Sequence, residues 1–453
     1  MKPVLWAGIF VTATFLKLQW KRRQLPPGPT PYPLFGNLLQ MKFRIHHDIL
    51  KKVCIFGKLH GNIFTLWLAN TPVVVLQGYQ AVKEGMTAHA EEVAGRPQNL
   101  AFKILTHGRG VMFSNGHLWK QQRRFGLVTM RRMGVGKKDQ DCQIQEEACR
   151  LVEYLRETNG KPLDPTMPIV HAVSNVICAL ILGHRFSIED KNFRRLIEAV
   201  DDISAFMNSS CFYVRNFFFW LFYTTFSSVN FMRTLLAEEI ENADATYDKE
   251  NLIQAIFDLF LAGTETTATT LRWALLYMVV YPDVQEKVQK ELDAVLGRSN
   301  LACYTDRKRL PYTNAVIHEI QRYSNIILIA LPRQTVKDTE LLGYPIPKVQ
   351  AYLNIDSVLS DPEKWETPDQ FNPGHFLDKD GNFVHREAFL PFSIGSRVCM
   401  GELLARLELF IVFSTLLRAF RFTLPDGVKE VNTKFVFGST MKPPPYQLCA
   451  IPR

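Results

Sequence analysis

The chain has 453 residues, of which 47% are apolar and 21% charged, and this composition is typical of a folded protein with a large core. It excludes low-complexity disorder, collagen and a membrane protein with many spans. Eight cysteines without any C-x-x-C pair exclude a disulfide scaffold and a zinc ribbon. The net charge of +9 favours a membrane surface or an acidic protein partner over nucleic acid, because the basic residues are dispersed and form no nucleic-acid-binding signature.

The N-terminal segment, residues 1–25, is predicted to be a membrane anchor that ends in a basic stop-transfer cluster. Its apolar run over 3–16 is shorter than the roughly 17–25 residues of a transmembrane helix. The run extends through Trp20 if Lys17 snorkels its amine to the interface. The basic cluster at 21–23 follows and places the rest of the chain on the cytosolic side. A cleaved signal peptide is the alternative, but no small-x-small cleavage site precedes this cluster.

The remaining chain, 26–453, is predicted to be a single domain, mainly α with a smaller β region. A proline-rich stretch at its start acts as a stiff spacer behind the anchor. Two apolar runs around a turn predict a strand pair over 63–68 and 73–76. Helical periodicity then dominates, and a loop-rich, proline-rich stretch precedes the last helix. Three helices stand out in the second half of the chain, over 251–280, 312–323 and 403–420.

A glycine-rich loop around Cys399 is the strongest sequence feature. Phe392, Gly395, Arg397, Cys399 and Gly401 follow one another directly before a predicted helix. Free N–H groups at the helix start and the helix dipole favour a thiolate, so we expect a lowered pKa for the Cys399 thiol. The two glycines permit special turns and a close approach of the backbone to a flat ligand. The Arg397 guanidinium has a shape suited to a carboxylate.

The pattern F-x-x-G-x-R-x-C-x-G resembles the haem-binding loop of the cytochrome P450 superfamily. The resemblance implies the cytochrome P450 fold, and it implies that Cys399 is the axial thiolate ligand of the iron in haem b. It also implies that Phe392 packs near the sulfur and that Arg397 holds a haem propionate. Arg333, which follows a Leu-Pro pair, lies where the superfamily often has another propionate ligand.

Two further patterns match the same superfamily, although each alone is a weak signal. Glu319 and Arg322 form an E-x-x-R pair on a predicted helix, and a later F-x-P stretch supplies His375 as the third member of a structural network. Trp119 and Arg123 match W-x-x-x-R, which puts an indole and a guanidinium one helical turn apart. The resemblance implies that this second pair binds a haem propionate.

The middle of the longest predicted helix carries the sequence Ala-Gly-Thr-Glu-Thr-Thr. Without context it is most simply a surface helix with some threonines. However, Gly263 opens room on one face, and a threonine hydroxyl can loosen the helix by bonding a preceding carbonyl. The resemblance makes this segment the oxygen-binding groove, with Thr266 as a hydrogen-bonding group and Glu265 as a proton relay.

The resemblance covers nearly the whole chain and is closest to vertebrate microsomal family two, subfamily J. It implies a monooxygenase that inserts one oxygen atom of O2 into lipophilic substrates, such as arachidonate and xenobiotics. Electrons from NADPH arrive through NADPH–cytochrome P450 reductase, with cytochrome b5 as an optional second partner, and the location is the endoplasmic reticulum membrane. The basic residues that form the implied docking face are Lys120, Arg124, Arg131, Arg132, Lys137 and Lys138.

The segment 211–251 is the main departure from the family, because it is shorter than the helix–loop–helix region that roofs the substrate pocket in relatives. An altered splice form or a faulty gene prediction could produce it. The alternative function is therefore a haem-binding protein that is impaired in catalysis. A haem-thiolate isomerase is a third hypothesis, which the presence of both Glu265 and Thr266 disfavours. Residues predicted to line the pocket lie in 96–111, 326–331 and 436–441.

Overall fold

The structure of the chain is a computed structural model that describes residues 16–41, 47–98, 106–208, 248–297 and 301–453, with isolated residues at 6, 12, 13, 103, 233 and 234. Part of the predicted anchor and nearly all of the segment 211–251 lie outside the described residues. Within the described ranges, no helix is both long enough and apolar enough to cross a membrane.

Helices dominate the described chain, as the sequence predicts. Two short 3-10 helices, Tyr304–Lys308 and Pro373–Phe376, lie among them. In chain order the α-helices are α1 (His47–His60), α2 (Tyr79–Thr87), α3 (Gly116–Arg132), α4 (Lys138–Glu157), α5 (Thr166–Leu182), α6 (Lys191–Asn208), α7 (Lys249–Val280), α8 (Pro282–Leu296), α9 (Pro311–Ser324), α10 (Ile355–Leu359) and α11 (Glu402–Ala419).

The strands form three small sheets, with the order β1-β2-β6-β3 in the largest and the pairs β4-β5 and β7-β8 in the others. β1 and β2 form the predicted antiparallel pair, and β2 continues in parallel with β6, with Val73 opposite Gln350. The stretch between α9 and α11, which the sequence predicts to be rich in loops and prolines, contains four short strands. The strands are β1 (Ile63–Leu68), β2 (Thr71–Gln77), β3 (Arg333–Gln334), β4 (Thr339–Leu341), β5 (Tyr344–Ile346), β6 (Gln350–Asn354), β7 (Phe420–Thr423) and β8 (Cys449–Pro452).

The long helix α7 is the central element of the domain, and its ends have local causes. The Asp248 carboxylate accepts a hydrogen bond from the Glu250 N–H at 3.2 Å, which caps the first turn. At the other end Pro282 lacks an N–H and cannot continue the helix. α7 therefore ends before Tyr281, and Pro282 begins α8. In the second half of α7, residues 267–278 are all buried, so every face of the helix is covered there. α7 packs on α5, α9 and α11. The predicted helices 251–280, 312–323 and 403–420 are confirmed to within two residues as α7, α9 and α11.

Two apolar cores lie on either side of the Cys399 loop. The larger joins α4, α5, α7 and α11, and the smaller lies between the four-stranded sheet, α2 and the segment that contains Trp365 and Phe376. Phe389 and Ile394 pack on the smaller core, and α11 begins eight residues after Ile394 as part of the larger one. The loop is therefore fixed at both of its ends by buried apolar contacts.

Candidate functional site

The Cys399 loop is closed by two backbone hydrogen bonds. The Cys399 N–H donates to the Phe392 carbonyl at 3.0 Å, and the Val398 N–H donates to the Gly395 carbonyl at 3.0 Å. Gly395 has φ +82°, and a Cβ there would lie 2.5 Å from the Met86 carbonyl oxygen, so this position requires glycine for two reasons. The expectation of a special turn at both glycines is wrong for Gly401, whose φ of −90° suits any residue. A Cβ at Gly401 would lie 4.0 Å from the Cys399 sulfur, which is an ordinary van der Waals distance.

Cys399 is an exposed residue as a whole, yet the protein atoms around its thiol raise the pKa of that thiol. Desolvation is the largest cause, the hydrogen bond from the Gly401 N–H opposes it, and the Glu402 carboxylate adds to it. The Arg123 guanidinium also opposes the rise but is a smaller influence. The expected lowering of the pKa is therefore wrong for the protein chain alone, because burial outweighs the helix start. A metal cation that coordinates the sulfur would deprotonate it outright.

Four arginines form a cluster beside this loop. Arg96, Arg333 and Arg397 are buried, and burial is the largest cause of a lowered pKa in all four, Arg123 included. Repulsion among the guanidinium groups adds to this effect and brings the pKa of Arg333 and of Arg397 to about 9. Within the described part of the chain, none of the four forms an ion pair with a carboxylate. The cluster is thus a concentrated positive charge without a protein counter-ion.

Backbone carbonyls hold these arginines in place. The Arg397 guanidinium donates to the carbonyls of Ala94 at 2.8 Å and Ser114 at 2.7 Å, and it lies over the Trp119 ring at 3.8 Å. Arg123 donates to the Val398 carbonyl at 2.6 Å, which ties α3 to the residue before Cys399. The predicted α3 pair and the predicted loop arginine are thus brought together.

Arg96 joins the same cluster from the other side. Its guanidinium donates to the Met112 carbonyl at 3.0 Å and to the Leu331 and Pro332 carbonyls at 2.8 Å each. Through these bonds Arg96 fixes the chain just before Arg333. The sequence analysis places Arg96 at the start of the pocket-lining range 96–111 but not in the arginine cluster, because no local pattern marks that role and the Leu331 and Pro332 carbonyls lie more than 230 positions away.

Two buried donors in the cluster have no hydrogen-bond partner. These are Trp119 Nε1 and Arg333 Nη1. An unsatisfied buried donor costs roughly 1–3 kcal/mol, so native proteins rarely leave one without a ligand or water. The unpaired positive charge and the two orphaned donors fit a ligand with more than one carboxylate. The two propionates of haem have this chemistry, and the lone Cys399 thiol beside the cluster fits its iron.

The predicted network of Glu319, Arg322 and His375 is assembled in the structure. The Arg322 guanidinium donates to both Glu319 oxygens at 2.7 Å, and both side chains are at most 1% exposed. The Thr367 N–H donates to His375 Nε2 at 3.2 Å, so His375 Nδ1 carries the proton and faces Glu319 at 3.2 Å. The remaining Arg322 donors bind the carbonyls of Leu359, Pro368 and Gln370. The network therefore pins the segment 359–375 onto α9.

The polar centre of α7 has contacts that the sequence anticipated only in part. The Thr266 hydroxyl donates to the Ala262 carbonyl at 2.7 Å, which is the predicted bond to a preceding carbonyl. The room at Gly263 is used for helix packing, because a Cβ there would lie 2.7 Å from Ile177 Cδ1 of α5. The Glu265 carboxylate accepts a hydrogen bond from the Thr440 hydroxyl at 2.8 Å. None of the contacts described for Glu265 or Thr266 reaches the Cys399 loop directly.

A buried carboxyl links α7 with the helix that follows the cysteine. Glu408 of α11 is 1% exposed and hydrogen-bonds Thr267, the residue after Thr266. Burial raises the pKa of Glu408 to about 8, and its Oε1 has no partner. Sequence reasoning missed this residue, although a single acid inside the otherwise apolar stretch of α11 was an available signal.

Comparisons with known proteins agree with this site. The family model described as Cytochrome P450 matches residues 26–228 and 224–450. Cytochrome P450 2C26 of Mesocricetus auratus is 40% identical over 98% of this chain and 98% of its own. Cytochrome P450 2C8 of Homo sapiens is 40% identical over 95% of each chain. Cytochrome P450 2J2 of Homo sapiens is 39% identical over 98% of this chain and 95% of its own.

These figures confirm the predicted resemblance to family two, and they set subfamilies C and J at the same distance. The alignment with cytochrome P450 2C26 runs over 482 positions, although this chain has only 453 residues. The relative therefore has residues that this chain lacks.

Proposed function

Because this chain belongs to the cytochrome P450 family and is thus a haem-dependent monooxygenase acting on lipophilic substrates, we propose that it oxidises polyunsaturated fatty acids such as arachidonate, and xenobiotics. The proposed reaction is epoxidation or hydroxylation. NADPH supplies the electrons through a cytochrome P450 reductase, and cytochrome b5 is a second electron donor. The proposed location is the endoplasmic reticulum membrane, with the catalytic domain in the cytosol.

The uncompensated arginine cluster is the observation that carries the cofactor assignment. Cys399 would bind the haem iron through its thiolate, and Trp119, Arg123, Arg333 and Arg397 would hold the propionates. When bound, the haem supplies the oxidising chemistry that acts on the substrate. Two carboxylates placed among the guanidinium groups would relieve their mutual repulsion and satisfy the orphaned donors. Arg96 joins this set through its contacts with the same cluster.

Glu265 and Thr266 of α7 are assigned to proton delivery. The Thr266 proton is bound to the Ala262 carbonyl, which leaves the hydroxyl oxygen free to accept a hydrogen bond from a group outside the helix. Glu265 is the adjacent acid and can exchange a proton with solvent or with a neighbouring hydroxyl. Exchange of Thr266 for Ala should therefore leave haem binding intact and lower the amount of product formed per NADPH.

Phe392 and the network of Glu319, Arg322 and His375 are assigned structural roles. The Phe392 carbonyl accepts from Cys399 N–H, and the Arg406 guanidinium lies 4.9 Å from the Phe392 ring centre. The network fixes the segment that leads toward this loop. These residues hold the position of the sulfur and take no part in the reaction themselves.

The exposed basic residues of α3, of the turn after it and of the start of α4 support the proposed reductase contact. They lie close together in the chain, within residues 120–138, and an acidic surface of a flavoprotein would complement their charge. The exposed members are Lys120, Arg124, Arg131, Arg132, Lys137 and Lys138.

A second candidate function is a chain that binds haem but turns over poorly. The residues present in the relatives and absent here favour this candidate, and we place the difference in the segment 211–251. A short roof over the pocket would admit water and weaken the binding of apolar substrates.

The test combines a spectrum with a turnover assay on the full chain in membranes. A carbon monoxide difference spectrum of the thiolate type establishes haem loading, and incubation with arachidonate, reductase and NADPH then measures product. Product formation supports the enzyme, whereas the spectrum without product supports the second candidate. Loss of both would contradict the assignment of Cys399 and of the arginine cluster.

A further inference from the structure

Lys442 lies between two carboxylates that belong to different helices. Its Nζ is 3.2 Å from Glu265 Oε1 on α7 and 2.9 Å from Asp201 Oδ1 on α6. The Thr440 hydroxyl donates to the same oxygen of Glu265 at 2.8 Å. One short segment near the C-terminus thus supplies both of the contacts described for the Glu265 carboxylate.

This segment is fixed on α7, so Lys442 reaches Glu265 from a rigid base. Val436 and Lys442 pair through two backbone hydrogen bonds of 2.8 and 3.1 Å. The Met441 carbonyl accepts from Trp273 Nε1 at 2.8 Å, and the Met441 N–H donates to the Ile326 carbonyl at 2.9 Å. Lys442 therefore has little freedom to move away from α7, and it holds Glu265 from a defined direction.

The two ion pairs differ in strength because their surroundings differ. The side chain of Glu265 is 11% exposed and that of Asp201 is 62% exposed. Charges are screened less where water is excluded, so the Glu265 pair is the stronger one although its distance is longer. Burial lowers the pKa of Lys442, but the two carboxylates together outweigh burial and raise it, so Lys442 stays charged.

We propose that Lys442 is a positioning residue that orients the Glu265 carboxylate for proton delivery beside Thr266. This inference rests on the role given to Glu265 under the proposed function. A glutamate has three rotatable bonds, and a carboxylate that is free to turn spends only part of its time where it can serve its neighbour. Lys442 and Thr440 bind one oxygen, Oε1, and thereby fix the direction of the other. Asp201 is the outer partner of Lys442 and has no contact with Glu265 among the described residues.

The test compares variants of the full-length, haem-loaded chain. Lys442→Met keeps the length of the side chain and removes its charge, Lys442→Arg keeps the charge, and Asp201→Asn breaks only the outer pair. In Lys442→Met we expect product per NADPH to fall by roughly tenfold, less than the 10²–10⁴-fold typical of a general acid itself. The solvent deuterium isotope effect on turnover should change in the same variant, whereas a merely structural lysine would leave it unaltered. Lys442→Arg should recover most of the loss, and Asp201→Asn should match the parent chain.

Glu265→Gln, measured in parallel, separates two kinds of failure. If Glu265→Gln lowers product per NADPH and Lys442→Met does not, the inference about Lys442 is wrong and the role of Glu265 stands. If Glu265→Gln has no effect, or the parent chain forms no product, both are wrong. The carbon monoxide difference spectrum of each variant shows that haem is retained. If Lys442→Met and Lys442→Arg both keep this spectrum and both lose the same large part of the product per NADPH, the inference is also wrong, because the charge of the side chain would then make no difference.

Discussion

At the scale of single residues, the site depends on charges that the protein leaves uncompensated. Arg333 and Arg397 keep lowered pKa values because burial and repulsion act together, and Glu408 keeps a raised one because it is buried. Each of these groups lies within reach of the Cys399 loop or of α7. A buried charge without a counter-ion destabilises the folded state, so the two arginines point to an anionic ligand, whereas the raised pKa of Glu408 means that its carboxyl keeps a proton.

Exchange of Cys399 for Ser tests the metal ligand. A neutral hydroxyl is a far poorer donor to iron than a thiolate, so the thiolate-type carbon monoxide difference spectrum should disappear. Cys142→Ser is the matched control, because Cys142 is an exposed cysteine on α4. Retention of the spectrum and of full turnover in Cys399→Ser would mean that another cysteine is the ligand.

Glu408 should make the folded chain less stable as the pH rises. The pKa of its carboxyl is about 8 in the folded state, against roughly 4.3 for an unperturbed glutamate, so the folded state binds the extra proton between these values. The free energy of unfolding should therefore fall between about pH 4 and pH 8, by about 1.4 kcal/mol for each unit of pKa difference. Glu408→Gln should remove most of this slope in thermal unfolding measured at several pH values. The exposed Glu340→Gln is the control, and an identical slope in parent and Glu408→Gln would refute the assignment.

At the scale of elements, Glu319 and Arg322 fasten the segment 359–375 to α9. Exchange of Glu319 for Gln leaves the Arg322 guanidinium buried without a counter-charge, and breaking a buried pair in this way costs about 3–5 kcal/mol. We expect a clear fall in melting temperature and in haem content. Glu286→Gln on α8 breaks an exposed pair with Lys290 and should leave the melting temperature nearly unchanged. Equal melting temperatures for the two variants would contradict the structural role of the network.

The elements that could be predicted from the sequence are those with local causes. α7, α9 and α11 follow from apolar periodicity and from prolines or caps at their ends, and all of that information lies within the element itself. The strands β3 to β6 have two to five residues each, and β6 pairs with β2 across more than 270 positions. No local window contains that partner, so the sequence predicts only a stretch rich in loops and prolines there.

The same distinction applies to the site. Cys399 and Arg397 lie in one spaced pattern, and Trp119 with Arg123 in another, so the sequence marks them. Arg96 reaches the cluster through carbonyls more than 230 positions away, and Glu408 is marked in the sequence only as a single acid in an apolar stretch, which does not reveal its buried partner Thr267. The prediction that the pKa of the Cys399 thiol is lowered was wrong for a related reason. The helix start is visible in the sequence, but the desolvation that outweighs it arises from the folded surroundings.

At the scale of the whole molecule, the length of the segment 211–251 is expected to set substrate affinity and stability. Replacement of this segment by the corresponding one of a relative such as cytochrome P450 2C8, where we propose that the additional residues lie, should raise the melting temperature, tighten the binding of apolar substrates and increase product per NADPH. The carbon monoxide difference spectrum should remain the same, because the Cys399 loop and the arginine cluster lie outside this segment. The two chains are compared in melting temperature, substrate affinity, product per NADPH and carbon monoxide difference spectrum. A longer chain with no gain in affinity, coupling or melting temperature would show that the short segment is harmless.

The contact between Gly395 and the Met86 carbonyl has a consequence for the order of assembly. The cysteine loop reaches its final shape only against a backbone atom that lies more than 300 positions earlier, beside the sheet that β6 completes. During synthesis the segment around Met86 is therefore made long before Gly395, and the two can meet only after almost the entire chain has left the ribosome. Until then the loop cannot take its final shape, and a chain that ends before residue 399 has the Met86 surface but lacks the thiol. Cofactor capture is thus a late event in biogenesis, and it stabilises only chains that have been made nearly to their end.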